Sequence, residues 1–143
     1  MDLELKNKRA LVTGSTKGIG YAIAKLLARE GASVIINGRS EESVSQAEDS
    51  LKESVPNADI IGISCDFAIA EEVGRFIKEV GEVDILVNNV GIFTVMDFFD
   101  IPDGEWEKIY EVNVMSGVRL SRGVLQKMLK NDWGRIIFIY SES

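Results

Sequence analysis

The ten residues Leu11-Val-Thr-Gly-Ser-Thr-Lys-Gly-Ile-Gly20 form the stretch of this sequence whose types and spacing most resemble chemical equipment. Gly14 permits a sharp turn, and Gly18 and Gly20 let backbone and helix approach a neighbour closely. Because the turn runs straight into a helical pattern, unpaired N–H groups and the positive end of a helix dipole can hold an anion there, and a pyrophosphate suits that geometry. A three-glycine turn taken alone is also compatible with a purely structural bend, so its neighbours must decide. Some usual chemistry is missing. The chain contains no histidine, which removes the commonest general base near neutral pH, and its single cysteine, Cys65, leaves no zinc-ligand pattern.

Those residues need a scaffold, and the composition supplies one. A chain of 143 residues that is 45% hydrophobic and 27% charged is large enough to bury a core as one domain, here taken as residues 1–143. The formal charge of -7 would repel a phosphate backbone, so no nucleic-acid partner is expected. One cysteine cannot make an internal disulfide, and no apolar run reaches membrane-spanning length or resembles a signal peptide. A cytoplasmic protein with no membrane partner is the resulting expectation.

Taken in order, Arg9 to Thr13 predicts a short buried strand, and Ile19 to Glu30 a helix with Ile23, Leu26 and Leu27 inward, stopped by Gly31. Ala32 to Asn37 predicts a second strand. Strand, glycine turn, helix and strand within about thirty residues is what a dinucleotide-binding unit requires. Ser40 is then the expected N-cap of a surface helix with Val44, Ala47, Leu51 and Val55 on its inner face and Pro56 beyond its end. Asp59 to Cys65 supplies a third strand. Val73, Phe76, Ile77 and Val80 mark a helix closed by Gly81, and Val83 to Val87 a fourth strand that delivers Asn88-Asn-Val-Gly91 at its carboxyl end. Ile92 to Pro102 is an apolar loop that either covers a pocket or packs. Asp103 is the expected cap of one long helix to about Lys130, before a fifth strand over Gly134 to Tyr140.

Alternating strands and helices with short connections imply an α/β fold, a Rossmann-type doubly wound parallel sheet of five strands in the order 3-2-1-4-5.

Four features fall in order on this sheet: Thr13-Gly-Ser-Thr-Lys-Gly-Ile-Gly20, Asn88-Asn-Val-Gly91, Asn113 within Glu111-Val-Asn-Val-Met-Ser116, and Gly134-Arg-Ile-Ile-Phe-Ile-Tyr-Ser141. Together they resemble the short-chain dehydrogenase/reductase family, over nearly the whole chain. The resemblance implies an oxidoreductase in which a nicotinamide dinucleotide exchanges hydride with a carbonyl or alcohol. It assigns Gly14, Ser15, Gly18, Ile19 and Gly20 to the pyrophosphate and ribose, and Asn89 and Gly91 to the nicotinamide ribose. It gives Asp66 to the adenine, although Asp66 also suits a cap for a helix starting near Phe67. Asn113 would help hold a water in a proton relay, or else its amide satisfies a backbone group. Ser141 would polarise the substrate. Val90 departs from the family's usual alanine, which would narrow the nicotinamide side. For the cofactor, the second strand ends Asn37-Gly-Arg-Ser40 with no acid before Glu41, so Lys17 and Arg39 converge on a 2'-phosphate and favour NADP over NAD, unless both are simply solvated cations.

The family's acid–base pair, a Tyr-x-x-x-Lys beyond the serine, is not found there. Tyr21-Ala-Ile-Ala-Lys25 matches the spacing but lies in the first helix. The expectation is therefore a sheet incomplete relative to the family and a chain inactive by itself, with a non-catalytic nucleotide-binding or interaction module, or a truncated remnant, as the alternatives. Strand 5 would then be an uncovered edge. Self-association, or capture of a complementary fragment, is expected through that strand and the 103–130 helix.

Overall fold

The computed structural model describes residues 2–141, so Met1, Glu142 and Ser143, part of the 1–143 span, lie outside the described residues. Within it, β1 (Arg9–Val12), β2 (Ser33–Gly38), β3 (Ile60–Ser64), β4 (Ile85–Asn88) and β5 (Arg135–Phe138) form one parallel sheet in the order β3-β2-β1-β4-β5. The expected strand order and fold class hold. Alternate residues of each strand feed opposite faces, as the twofold pleat demands. Ala10, Val12, Val34, Ile36, Ile85 and Val87 meet α1 (Gly18–Arg29) and α2 (Glu41–Ser54) on one face. Leu11, Ile35, Ile63 and Leu86 meet α3 (Ala70–Val80) and α5 (Ser116–Lys130) on the other, where Phe76 is wholly buried and stabilises by about 1.5–3 kcal/mol.

The local signals explain where elements begin and end. Ser40 caps α2 by accepting from the Ser43 N–H at 3.2 Å, with Glu41 and Glu42 in the first turn, and Val44, Ala47 and Leu51 face the sheet. Gly31 and Gly81 follow α1 and α3 with φ of 92° and 66°, the left-handed region that costs glycine little.

Three expectations need correction. The buried stripe of α1 is Gly20, Ala24 and Ala28, whereas Leu26 is 58% exposed and Ile23 and Leu27 only flank the core. Small residues win because the helix lies close to β1 and β2, and leucine would hold it away. Next, the 103–130 helix is broken into α4 (Asp103–Tyr110), a π-turn (Glu111–Met115) and α5, and a π-turn of this kind often marks a functional position. Last, Asp103 does not cap α4; Pro102 occupies the N-cap and Asp103 sits in the first turn, where its charge still favours the helix dipole. No described helix is long and apolar enough to cross a membrane.

Candidate functional site

The carboxyl ends of the parallel strands are where an open α/β sheet receives ligands, and nearly all of the candidate residues gather there. The glycine turn between β1 and α1 is held from two sides. On the β4 side, the fully buried Thr13 hydroxyl oxygen accepts from the Asn89 N–H at 2.9 Å and the Val90 N–H at 3.1 Å, and the hydroxyl donates to the Val87 carbonyl at 3.3 Å. The Asn89 amide returns the contact, donating to the carbonyls of Thr13 at 3.2 Å and Gly14 at 3.0 Å. Asn89 therefore braces the turn with its side chain.

On the β2 side, Ser15 is fully buried. Its hydroxyl donates to the Val12 carbonyl at 2.6 Å and accepts from the Asn37 N–H at 2.9 Å, while its own N–H donates to the Asn37 carbonyl at 2.8 Å. The Ser15 hydroxyl and N–H are thus both bonded inside the fold. Gly20 packs beneath it. A Cβ there would stand 2.3 Å from the Gly14 carbonyl oxygen and 2.9 Å from the Ser15 Cα. Gly18, with φ of 60°, has nothing within 4 Å of its absent Cβ, so this face of the turn is open. Ile19 is exposed beside it.

Helix α1 starts directly on that open face. Lys17 occupies the N-cap without a side-chain cap bond, and the first turn holds no acid. By contrast α2, α3 and α4 each carry acids in their first turn, and α5, which is also free of them, continues directly from the π-turn. An uncapped, acid-free start leaves the N–H groups and dipole of α1 available to an outside anion.

Gly38 brings the end of β2 against the glycine turn. A Cβ on it would lie 2.5 Å from Thr16 Cγ2, so the tip of β2 touches the glycine turn and Arg39 follows Gly38 there. Lys17 and Arg39 are both exposed, and neither forms an ion pair with a described residue. An acid at position 38 would displace Thr16.

Asp66 lies just beyond β3. Its carboxylate accepts from the Ala68 N–H at 2.9 Å, closing a turn, and its N–H donates to Glu72 at 2.8 Å. It does not cap α3, which begins at Ala70 with Ile69 as N-cap. Asn113 sits in the π-turn and is exposed, not buried. Its amide clasps one residue at both ends, accepting from the Ile92 N–H and donating to the Ile92 carbonyl, each at 2.7 Å, with Gly91 alongside. Glu111 and Arg119 pair across the same turn at 2.5 Å. The side chain of Asn113 is thus occupied in fixing the chain after β4. Val90 is partly buried and packs on the core. Ser141 is exposed at the carboxyl end of β5.

Three groups do not join the site. Tyr21 bonds Ser50 at 2.7 Å between α1 and α2, so the Tyr21–Lys25 spacing has no catalytic setting. Cys65 is buried, and that burial, with Glu72 nearby, pushes its thiol up to about 12, leaving it protonated and unreactive near neutral pH. Among the described residues no group of acids and cysteine could hold a metal. Sequence reading did not foresee Asn37 or Gly38 as parts of the site; the signal was a polar residue ending an otherwise apolar strand.

Known proteins are similar to this chain in sequence and in fold. YvaG, an uncharacterized oxidoreductase of Bacillus subtilis (strain 168), is 52% identical over 143 residues, all of this chain and 54% of the relative. YvrD of the same organism, also an uncharacterized oxidoreductase, is 48% identical over all of this chain and 54% of its own length. Among solved structures, the L-sorbose reductase of Gluconobacter frateurii complexed with NADPH and L-sorbose superposes with a TM-score of 0.89 at 35% identity, covering 96% of this chain and 54% of that one. The chain thus spans about half the length of the relatives it matches. The family model described as short chain dehydrogenase matches residues 8–143, and because that match takes in the turn, the sheet and every candidate residue, the chain belongs to the short chain dehydrogenase family.

Proposed function

We propose that this chain is the cofactor-binding half of an NADP-dependent short-chain oxidoreductase, a single nucleotide-binding domain working in the cytoplasm whose turnover needs residues beyond these 143. The whole protein would transfer hydride between nicotinamide and a carbonyl or alcohol. The observation that carries this reading is the start of α1: uncapped, free of acid, open at Gly18 and aligned with the carboxyl ends of β1 and β4. The N–H groups of residues 16–20 would take the pyrophosphate, with Gly14 and Ser15 shaping the turn behind them. Lys17 and Arg39 would take the 2'-phosphate, which a lone acid-free β2 tip supports. Asp66 would face the adenine. Asn89 and Gly91 would border the nicotinamide ribose, and Asn113, which clasps Ile92, would help hold a water in a proton relay beside that border. Ser141 would donate to the substrate oxygen.

Without a phenol and lysine placed beyond Ser141, these residues bind and orient but have no group to move the proton, so the chain alone should show no turnover with any carbonyl. Calorimetric titration tests the binding half of the reading. NADPH is expected to bind more tightly than NADH, and Arg39→Glu to weaken NADPH by about 10- to 100-fold, the worth of a charge-assisted hydrogen bond, while leaving NADH nearly unchanged. Absence of NADPH binding, or a preference for NADH, would overturn it.

The same reading extends to partners. Among the described residues β5 pairs only with β4, Tyr140 just past it is 82% exposed, and α4 and α5 expose Trp106, Tyr110, Leu125 and Leu129. A second copy of the chain, or a complementary fragment, would cover this edge. Light scattering at rising concentration should therefore report a mass above the 15.8 kDa of one chain. A strictly monomeric protein throughout would count against it.

A further inference from the structure

Asn37 is 1% exposed at the carboxyl end of β2, and each of its polar groups reaches a different segment. The carboxamide oxygen accepts from the Gly14 N–H at 3.2 Å, and the amide donates to the Ile63 carbonyl of β3 at 3.2 Å and to the Gly38 carbonyl at 3.4 Å. Its backbone N–H and carbonyl pair with Ser15, the N–H at 2.9 Å to the hydroxyl and the carbonyl at 2.8 Å from the N–H. One residue therefore joins the glycine turn, the tip of β2 and the neighbouring strand β3.

Burying a carboxamide is costly unless its bonds are made, so this cluster has one arrangement that satisfies it and few near it. An apolar residue would fill a strand end of this kind at lower cost. The two segments it ties are the ones proposed to hold two different phosphate groups of the same ligand: the turn after Gly14 for the pyrophosphate, and residues 38–40, with Arg39, for the 2'-phosphate. Gly38 already touches Thr16, so a small slip of the β2 tip would move Arg39 relative to the glycine turn.

We infer that Asn37 is a positioning residue that sets the spacing between the pyrophosphate turn and the 2'-phosphate cations, and that selectivity for NADP over NAD depends on it. This rests on the nucleotide reading above. The residue touches no cofactor itself. It acts by holding the Gly14 N–H and the Gly38 carbonyl at a set separation, so its loss weakens the dinucleotide that uses both phosphate sites more than the one that uses the turn alone.

The test uses the full chain with Asn37→Ala and the similarly sized Asn37→Asp, which keeps an acceptor for Gly14 but places a carboxylate against the carbonyls of Ile63 and Gly38. Two measurements are made well below the melting temperature. Titration should show NADPH affinity reduced by about tenfold in Asn37→Ala, with NADH affinity reduced much less, so that the preference shrinks. Amide hydrogen exchange of the free protein should quicken in the peptides containing Gly14 and Gly38 in Asn37→Ala, chiefly in the one containing Gly38 in Asn37→Asp, and not in those of α5. Equal weakening of both nucleotides, or unchanged exchange at Gly14 and Gly38, would overturn the inference, as would unfolding of both variants, which would assign Asn37 to core stability instead. Failure of the wild-type chain to bind NADPH would sink the nucleotide reading, and is distinguishable because the exchange measurement needs no nucleotide.

Discussion

Replacing Gly20 by alanine should unfold this protein more easily and abolish nucleotide binding, against what helix propensity alone would suggest. Gly20 lies in the first turn of α1, where alanine gains about 1 kcal/mol over glycine in an exposed helix. Here the added methyl would meet the Gly14 carbonyl oxygen at 2.3 Å, the Asn89 amide nitrogen at 2.5 Å and the Ser15 Cα at 2.9 Å. Two of these three atoms are backbone, so no side-chain rotation relieves the contact. Overpacking a tight site costs about 1–3 kcal/mol, and the backbone clash belongs at the upper end, leaving a net loss of about 2 kcal/mol. The turn must also move off α1, which displaces Asn89 from both of its carbonyl acceptors and opens the anion cradle. Gly18→Ala is the contrast. It adds strain of about 1 kcal/mol from its positive φ but meets no atom, so it should keep the fold nearly intact. Urea denaturation and NADPH titration read both effects. A Gly20→Ala protein as stable as wild type, or one that binds NADPH as well, would show that the turn has slack that its packing does not suggest.

How much of this could be read beforehand depended on whether the signal was local. The turn, the caps at Ser40, Gly31 and Gly81, and the alternation of strands and helices all follow from residue types at short range, and the structure has them where the sequence indicated. The inner face of α1 did not follow from periodicity, because the pattern rule favours large apolar residues and this interface needed Gly20, Ala24 and Ala28 for close approach. The break at 111–115 was also invisible. Apolar spacing continues through Val112 and Leu120, and only Asn113, out of place in a helix, hinted at it. At the site, resemblance gives Ser15 to the pyrophosphate and ribose, and what the structure adds is that its hydroxyl is bonded to Val12 and Asn37. Which way a small polar side chain faces depends on the strand beside it, and Asn37 stands 22 residues away. A polar residue ending an apolar strand marks Asn37 in the sequence, but which residue it pairs with is not written there.

Thr13 makes the last and chemically sharpest test of this network, because valine matches its shape and lacks only its hydrogen bonds. In the wild type the hydroxyl oxygen receives two backbone N–H groups, from Asn89 and Val90, and its proton goes to the Val87 carbonyl. Thr13→Val strands both donors next to a methyl group in a site with no exposure at position 13. Each unsatisfied group costs about 1–3 kcal/mol, so the pair amounts to about 3 kcal/mol, a large share of the 5–15 kcal/mol that holds a typical domain together. The gain from burying one more methyl, under about 1 kcal/mol, does not offset it. Thr13→Ser should behave differently. It keeps the hydroxyl and loses a methyl, so it costs about 1 kcal/mol and retains the Asn89 contact. The two variants therefore separate packing from bonding at one position: urea midpoints should rank wild type above serine and serine above valine, with NADPH affinity following the same order because Asn89 and the Gly14 carbonyl move together. If valine proves as stable as serine, the strand ends are held by apolar packing instead, and Asn89 braces the turn without help from Thr13.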